Sequence, residues 1–405
     1  MPETICLYNG TVLTGFAAME DCAVLVEDGL VADVFSHRRF DQKQFTPAAR
    51  LIDVGGAYIA PGFIDTHIHG YGGYGTDDAS TASVLEMSRL LATRGVTAFN
   101  PTLYPSPPGE MLDAVARTAA AMGREKGARI MGLHLEGPFL SSSKLGVQKP
   151  ETLSPVDLSY MEKLWNASGG HIVNMTVAPE IRKMRDLALF CIKRGIILQA
   201  GHTDAKYENM VEGMQAGILH ATHLFNAMSR LDHRDPNAAG AVLIHPEMSC
   251  EIIADGFHVH PDLFKLLLRD KPVDRIILVT DSLKPTEQDA PPFFANGEEV
   301  VFQDGIFRRK SDGVIAGSAL TMIRGIKNLV KFGFSLDDAV KTGSFNPANL
   351  MRYRGKGAIV PGYDADLVVF DDQYAVRAVM VGGEITYEAQ PDGAHGAGNT
   401  VHAMA

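Results

Sequence analysis

Short apolar runs separated by turn residues mark both ends of the chain. The N-terminal runs lie at residues 5–7, 12–13, 23–26, 31–35 and 51–54. Gly29 and Gly55 fall in the turns between them, and such punctuation is typical of short β-strands. Similar runs return at residues 367–370 and 378–381, so we predict that residues 1–60 and 358–390 form one small β-sandwich domain. Residues 391–405 are rich in Gly, Ala and His and are expected to form a flexible tail.

The middle of the chain alternates short apolar strands with amphipathic helical stretches. Helices are predicted at residues 83–93, 109–124, 181–193, 207–216, 261–268 and 320–332. Eight strands are predicted at residues 63–67, 97–100, 129–135, 172–178, 196–202, 220–224, 251–254 and 275–280. This alternation is typical of βαβ units, and eight of them predict a (β/α)₈ TIM-like barrel over residues 61–357. A doubly wound open sheet is the alternative fold, but no GxGxxG follows the first strand.

Composition and charge narrow the possible functions. The 405 residues are 46% hydrophobic and 21% charged, which is typical of globular proteins and excludes disordered or fibrous classes. The net charge of −11 argues against nucleic acid or an anionic membrane as a partner. The four cysteines are scattered without a CxxC pair, which predicts reduced and buried thiols. We see no secretory signal and no apolar run of about 18 residues, so a cytoplasmic protein is expected.

Polar side chains that can bind a metal follow several of the predicted strands. In a barrel the carboxyl ends of the strands meet at one face, where active sites are built. The first strand ends at His67 and His69, which point the same way because side chains alternate along a strand. They are suited to binding one ion together, although two unrelated surface histidines remain the alternative.

Five more predicted strands carry a catalytic or metal-binding type of residue at the same end. Glu136 directly follows the third strand, and His202 and His223 lie in the last residues of the fifth and sixth. Taken singly, each is more often a loop or structural residue; together, imidazole and carboxylate donors suit Zn²⁺ or Fe²⁺. Asp281 follows four apolar residues of the eighth strand, as a general base or as a cap of the next helix. His258 lies after the seventh strand. Because residues of this kind lie at the same end of six of the eight predicted strands, we infer an active site there.

Several motifs resemble those of the amidohydrolase superfamily, and within it the N-acetylglucosamine-6-phosphate deacetylase family. The superfamily resemblance rests on PGFIDTHIHG at 61–70, the later histidines and Asp281. The narrower resemblance rests on HLEGPFL at 134–140, GHTDA at 201–205, THLFNAM at 222–228, ADGFHVHP at 254–261, AGSALTM at 316–322 and SFNPA at 344–348. These motifs span nearly the whole predicted barrel.

The resemblance implies a metal site and its catalytic partners. Glu136, His202 and His223 would form the principal metal site, and Asp281 would activate a metal-bound water. The remaining pair, His67 and His69, would hold a second ion or assist the first. One or two divalent ions per subunit, Zn²⁺ or Fe²⁺, are therefore expected as cofactor.

The same resemblance implies how a phosphosugar is bound. His258 would contact the substrate's acetyl carbonyl, and the main-chain amides of Asn226 and Ala227 would bind the sugar phosphate. Arg234 matches an arginine that family dimers contribute to the neighbouring subunit's phosphate site, so a homodimer is expected. The activity implied is metal-dependent hydrolysis of N-acetylglucosamine 6-phosphate to glucosamine 6-phosphate and acetate.

Two segments depart from the family pattern and keep alternatives open. Gln148 stands where the family usually has a histidine, and Ser282–Lys284 replace small residues after Asp281. The loop from there to about Asp312 is expected to be a lid over the pocket or a plain surface β-hairpin. A related amidohydrolase acting on another N-acyl substrate, such as N-acetylgalactosamine 6-phosphate, is therefore the second hypothesis. A non-catalytic binding barrel is the third.

Overall fold

A computed structural model describes residues 4–390, so the predicted tail at residues 391–405 lies outside the described residues. The chain opens with five strands and one short helix. The strands are β1 (Ile5–Leu13), β2 (Ala18–Glu27), β3 (Leu30–Ser36), β4 (Arg50–Asp53) and β5 (Tyr58–Pro61). Helix α1 (His37–Gln42) separates β3 from β4. The runs predicted as separate strands at 5–7 and 12–13 are one strand, β1, with irregular register on both sides of Gly10.

The next eleven strands include those of the barrel. They are β6 (Phe63–Ile68), β7 (Gly70–Tyr71), β8 (Tyr74–Gly75), β9 (Val96–Leu103), β10 (Arg129–Ile130), β11 (Leu133–Glu136), β12 (Ile172–Val177), β13 (Ile197–Ala200), β14 (His220–Ala221), β15 (Ser249–Ile253) and β16 (Ile276–Val279). Strands β7 and β8 pair with each other in a separate antiparallel ribbon. Eight of the eleven run parallel in the order β6-β9-β11-β12-β13-β14-β15-β16. The N–H of Asp281, just past β16, donates to the carbonyl oxygen of His67 in β6 at 2.9 Å. The predicted (β/α)₈ barrel is thereby confirmed as a nearly closed ring.

Helices surround this ring and bury one face against it. They are α2 (Thr81–Ala92), α3 (Pro108–Ala119), α4 (Leu158–Ala167), α5 (Met184–Ile192), α6 (Tyr207–Gln215), α7 (Asn237–Ile244), α8 (Pro261–Asp270), α9 (Met322–Lys331), α10 (Leu336–Thr342) and α11 (Phe345–Leu350). In α9 the buried residues Met322, Ile326 and Leu329 recur every three or four positions, as expected of a helix with one core-facing side. Within residues 4–390, no helix has the length and apolar character needed to cross a bilayer.

Several predicted strand and helix limits were wrong for reasons of backbone conformation. The strands predicted at 196–202 and 220–224 end at Ala200 and Ala221, because His202 and His223 adopt left-handed φ values of 45° and 24°. The strand predicted at 129–135 is interrupted between β10 and β11. The helix predicted at 181–193 begins only at Met184, since the preceding residue has a φ of 69°.

The segment after Asp281 forms a small antiparallel sheet. Its strands are β17 (Phe293–Ala295), β18 (Glu298–Gln303) and β19 (Ile306–Arg309). Buried Ala295, Val300 and Phe307 pack against Tyr104 and Leu283 at the mouth of the barrel. The prediction of a plain surface hairpin was therefore wrong, because a third strand and an apolar inner face attach the segment to the barrel.

The C-terminal strands join the N-terminal ones in a second sheet. They are β20 (Leu367–Phe370), β21 (Val376–Val381) and β22 (Glu384–Glu388). The hydrogen-bonded order is β22-β21-β20-β5-β1-β2-β3, with β4 beside β1. Val24, Ile59 and Leu367 lie in the core enclosed by this sheet. The predicted pairing of the two termini is thus observed, while the domain boundaries at 60/61 and 357/358 remain a prediction.

Candidate metal centre

Five predicted site residues converge at the carboxyl ends of the barrel strands. His67 lies near the end of β6 and Glu136 is the last residue of β11. His202, His223 and Asp281 each lie two residues beyond a strand, with φ values of 45°, 24° and 49°. Left-handed backbone at such residues costs about 1–3 kcal/mol each and persists only where the surroundings enforce it. All five side chains are buried, so the fold holds them together away from bulk water.

Glu136, His202 and His223 form the first group of donor atoms. Glu136 Oε1 lies 3.0 Å from His202 Nε2 and 3.2 Å from His223 Nε2, and the two imidazole nitrogens are 3.3 Å apart. A tetrahedral ion with bonds of about 2.0–2.1 Å separates its ligands by roughly 3.3 Å. The three atoms are therefore spaced like three ligands of one ion.

His67, His69 and Asp281 form the second group. Asp281 Oδ1 lies 3.4 Å from His69 Nε2 and 3.6 Å from His67 Nε2. Glu136 also reaches this group, because its second oxygen, Oε2, is 3.3 Å from His69 Nε2. One carboxylate thus lies between two sets of ligands, an arrangement that can bridge two ions.

The Nε2 atom of His67 indicates that a further group belongs here. The side chain is fully buried, yet this nitrogen has no hydrogen-bond partner in the described part of the chain. Burial lowers the pKa of His67, and the facing Glu251 and Asp281 carboxylates outweigh it and raise the pKa to about 10. A positive charge is therefore favoured at this point, and the donor set suits a divalent ion.

Hydrogen bonds from the second ring nitrogens aim the imidazoles. His69 Nδ1 lies 3.1 Å from the carbonyl oxygen of Thr102, and His202 Nδ1 lies 3.0 Å from that of Lys144. A carbonyl only accepts, so Nδ1 carries the hydrogen and Nε2 faces the site. The ring of His69 also stacks on Tyr104 with centroids 3.8 Å apart. These contacts fix the imidazoles before any ligand binds.

The ionisation of Glu136 fits the role of a ligand. Burial raises the pKa of this carboxyl, and the charge of His202 with the hydrogen bonds of His202, His223 and His69 outweighs it. Its pKa is held well below the ordinary value. A carboxylate that stays ionised while buried is what an ion requires at this position.

His258 is held by a second carboxylate on the same side of the barrel. Its Nδ1 lies 2.6 Å from Asp255 Oδ2, and both side chains are almost fully buried. Burial lowers the pKa of His258, and the Asp255 hydrogen bond and charge, with a contribution from Asp281, outweigh it and raise the pKa. His258 is therefore oriented with Nε2 free to meet a ligand.

The predicted phosphate-binding residues lie in the turn and loop that follow His223. Asn226 and Ala227 are half-buried in the turn after His223. The main-chain N–H of Asn226 already donates to the His223 carbonyl at 3.0 Å, whereas that of Ala227 has no acceptor within residues 4–390. Arg234 is exposed in the following loop.

The two departures from the family pattern occupy different surroundings. Gln148 is buried, and its Nε2 donates to Glu136 Oε2 at 2.6 Å. Lys284 instead pairs with the carboxylate of Asp78. Gln148 thus touches the ligand set directly, whereas Lys284 anchors the loop in which it lies.

Three residues that support the site were missed from the sequence. Glu251 contacts His67, Asp255 holds His258, and Tyr104 stacks on His69. Glu251 had a usable signal, because it is the one charged residue in the otherwise uncharged strand β15. Tyr104 had none, since its partner is distant in the sequence.

Comparisons with known proteins agree with this geometry. A model of the amidohydrolase family matches residues 58–386. The N-acetylglucosamine-6-phosphate deacetylase of Bacillus subtilis is 32% identical over 396 residues, covering 96% of this chain and 98% of the relative. The N-acetylgalactosamine-6-phosphate deacetylase of a Shewanella species is 32% identical over 383 residues, covering 94% and 95%.

Solved structures agree as well. A mutant N-acetyl-D-glucosamine-6-phosphate deacetylase from Mycobacterium smegmatis, in complex with N-acetyl-D-glucosamine-6-phosphate, aligns with a TM-score of 0.87 and 28% identity. The alignment covers 95% of this chain and 99% of that one. Since the family match takes in the whole barrel and every candidate ligand, the chain belongs to the amidohydrolase family.

Proposed function

We propose that this protein is a metal-dependent deacetylase that converts N-acetylglucosamine 6-phosphate and water to glucosamine 6-phosphate and acetate. As an amidohydrolase it is a hydrolase of carbon–nitrogen bonds. The observation that carries the proposal is the position of Glu136 between two buried ligand groups, with Asp281 in one of them. The names of several relatives, including those from Lysinibacillus sphaericus and Bacillus subtilis, support this substrate.

The metal centre would hold two ions per subunit, Zn²⁺ or Fe²⁺. Glu136, His202 and His223 would bind one, and His67, His69 and Asp281 would bind the other. Imidazole and carboxylate donors suit these borderline ions better than Mg²⁺ or Ca²⁺. When bound, such an ion polarises the acetyl carbonyl and lowers the pKa of water toward neutrality.

Asp281 moves the proton. Its carboxylate takes a proton from the attacking water as the water oxygen bonds to the acetyl carbon. It then gives that proton to the sugar nitrogen as the carbon–nitrogen bond breaks, because an amine leaves poorly unless protonated. Acetate and the free amino sugar result, and Asp281 returns to its ionised form.

His258 stabilises the charge that develops on the carbonyl oxygen. With Nδ1–H donated to Asp255, the protonated ring donates Nε2–H toward the substrate. A preorganised donor of this kind contributes on the order of 3–4 kcal/mol to the transition state. Because Asp255 raises the pKa of His258, the donor form persists to higher pH than it would without that carboxylate.

The phosphate is bound at the outer edge of the mouth. The main-chain N–H of Ala227, which has no acceptor within residues 4–390, binds it together with Arg234 from the second subunit of a homodimer. The N–H of Asn226 joins them only when it leaves the His223 carbonyl. The planar guanidinium of Arg234 is suited to gripping two phosphate oxygens. The four buried, unpaired cysteines fit a reducing cytoplasmic setting.

An acetate-release assay tests the proposal. The purified protein is loaded with Zn²⁺ or Fe²⁺ and offered N-acetylglucosamine 6-phosphate, its galacto epimer and unphosphorylated N-acetylglucosamine. Acetate is expected from the first with the highest kcat/KM. If the folded, metal-loaded protein released acetate only from the galacto epimer, that epimer would become the assigned substrate. If it released acetate from none of the three sugars, the proposal would be overturned.

A further inference from the structure

Glu251 is a fully buried carboxylate with no assigned role in the reaction. It lies in β15, whose other residues are uncharged, and its exposed fraction is 0%. A buried charge is strongly disfavoured unless it is paired and hydrogen-bonded. Its partners therefore indicate what it does.

The first partner is His67. Glu251 Oε2 lies 2.8 Å from His67 Nδ1. Because an ionised carboxylate only accepts, Nδ1 must carry the hydrogen. The opposite nitrogen, Nε2, then faces Glu136 Oε1 at 3.5 Å and Asp281 Oδ1 at 3.6 Å, and it is the buried atom without a hydrogen-bond partner.

The second partner belongs to the other ligand group. The main-chain N–H of His223 donates to the same oxygen, Glu251 Oε2, at 3.2 Å. His223 is one of the residues with left-handed backbone, so this bond helps to hold the turn that carries it. One carboxylate oxygen thus contacts a residue from each of the two ligand groups.

A chain of buried amides fixes the carboxylate itself. Gln199 Nε2 donates to Glu251 Oε1 at 2.9 Å, and Asn174 Nδ2 donates to Gln199 Oε1 at 3.2 Å. Asn100 and the hydroxyl of Tyr353 continue the chain across the barrel interior. The carboxylate is therefore held in an orientation in which it accepts from Gln199, His67 and His223 at the same time.

We propose that Glu251 is a positioning residue of the metal centre, which holds His67 with Nδ1 protonated so that Nε2 binds the ion shared with His69 and Asp281. The inference rests on the two-ion centre of the proposed function. Carboxylate partners of ligating histidines fix the ring and raise its basicity, and their loss weakens metal binding about 10- to 100-fold. A carboxylate that only filled the barrel interior would be indifferent to which ring nitrogen faces the ion.

Metal stoichiometry and affinity test this role without relying on activity. Glu251→Gln keeps the shape of the side chain, and His67→Asn removes the ligand through which it acts. Tyr353→Phe is the matched control, because it alters the far end of the same buried chain. Each protein is loaded with Zn²⁺, freed of excess ion, analysed by mass spectrometry and titrated against a chelator.

Wild type and Tyr353→Phe are expected to bind two ions with equal affinities. In Glu251→Gln the second ion should bind about 10- to 100-fold more weakly, while the first is retained. Added to His67→Asn, the Glu251→Gln change should cause no further loss. Wild-type affinity in Glu251→Gln, or an equal loss in both backgrounds, would overturn the inference.

Failure of the wider proposal gives a different result. Wild type that binds no ion would refute the metal centre itself, and wild type that binds one ion would refute only the His67 site. If Glu251→Gln does not fold, wild type loaded with ¹¹³Cd²⁺ replaces it. Coupling of cadmium to His67 Nε2 with Nδ1 still protonated is expected, and coupling to Nδ1 would overturn the inference.

Discussion

The main-chain N–H of Asp281 donates to the carbonyl oxygen of His67 at 2.9 Å, which joins the last barrel strand to the first directly beside the ligand groups. Two residues earlier in β6, Asp65 accepts a hydrogen bond from the hydroxyl of Thr280 at 2.6 Å, which links the same two ends of the barrel sheet. The proposed general base therefore lies on the seam that closes the barrel, and its left-handed backbone is held from both strands. The proposed general base is thus held by the same contacts that close the barrel.

Replacement of the base should abolish turnover without unfolding the protein. Asp281→Asn keeps the size of the side chain but cannot accept a proton from water. We expect kcat to fall on the order of 10²–10⁴-fold, the usual contribution of a general base. Steady-state kinetics with acetate detection measure this, and thermal melting serves as the folding control. Loss of less than about tenfold would show that another group moves the proton.

The pair formed by Asp255 and His258 predicts a change in pH dependence. Asp255 raises the pKa of His258 against the effect of burial, so the protonated ring persists to higher pH than it otherwise would. In Asp255→Asn that pKa falls, and the donor form is lost at lower pH. The alkaline limb of the kcat profile should therefore move to lower pH, while the activity that remains at acidic pH is closer to wild type. If the alkaline limb stayed at the wild-type pH in Asp255→Asn, the limb would report the titration of a group other than His258.

Much of the site was predictable because its residues follow apolar strands, whereas the exact limits of those strands were not. His202 and His223 were expected inside strands but lie two residues beyond them, in left-handed backbone that only the tertiary structure enforces. Glu251 was missed because the side chain that pairs with it, His67, lies 184 residues away in the sequence. Motif spacing identifies ligands, but it does not identify the side chains that orient them.

Arg234 predicts that each site is completed by the second subunit. The side chain is exposed on a loop of the single chain, where a second subunit can reach it as the proposed function requires. Arg234→Ala should raise KM for the phosphorylated sugar about 10- to 100-fold, the loss expected for one charged hydrogen-bonding group. Arg230→Ala, an exposed arginine four residues earlier, is the matched control.

Mixed dimers sharpen that test. Arg234→Ala chains retain Asp281, and Asp281→Asn chains retain Arg234, so a dimer of one with the other contains one complete site. Mixing the two variants with subunit exchange, at a substrate concentration far below the KM of Arg234→Ala, should restore up to half of the wild-type activity per mixed dimer. Equal activity before and after exchange would place Arg234 in its own chain's site or outside any site.

Lys284 predicts a loss of stability but no change of substrate. Its ammonium pairs with Asp78, whose carboxylate also accepts from the Gly75 N–H at 3.1 Å, so the pair ties the loop after β16 to the ribbon of β7 and β8. Lys284→Met leaves Asp78 partly buried without its cation, which should cost about 1–3 kcal/mol of unfolding free energy. Burial raises the pKa of Asp78, but the Lys284 and Ser83 hydrogen bonds outweigh it and lower the pKa. The stability that Lys284→Met loses relative to wild type should therefore be largest above the ordinary carboxyl pKa. It should shrink as the pH falls below that value and through the lowered pKa of Asp78.

Asp78→Asn combined with Lys284→Met should recover part of the stability lost in Lys284→Met alone, because it removes the carboxylate that the single change leaves unpaired. Denaturant unfolding of the four proteins measures this coupling, and acetate release from the gluco and galacto phosphosugars measures selectivity. Gln148→Leu is the contrasting variant, since Gln148 donates to Glu136 Oε2 at 2.6 Å and its loss should weaken metal binding and kcat instead. If Lys284→Met altered the ratio of kcat/KM for the two sugars, the lysine would contact substrate rather than anchor its loop, and the departure from the family pattern would change specificity after all.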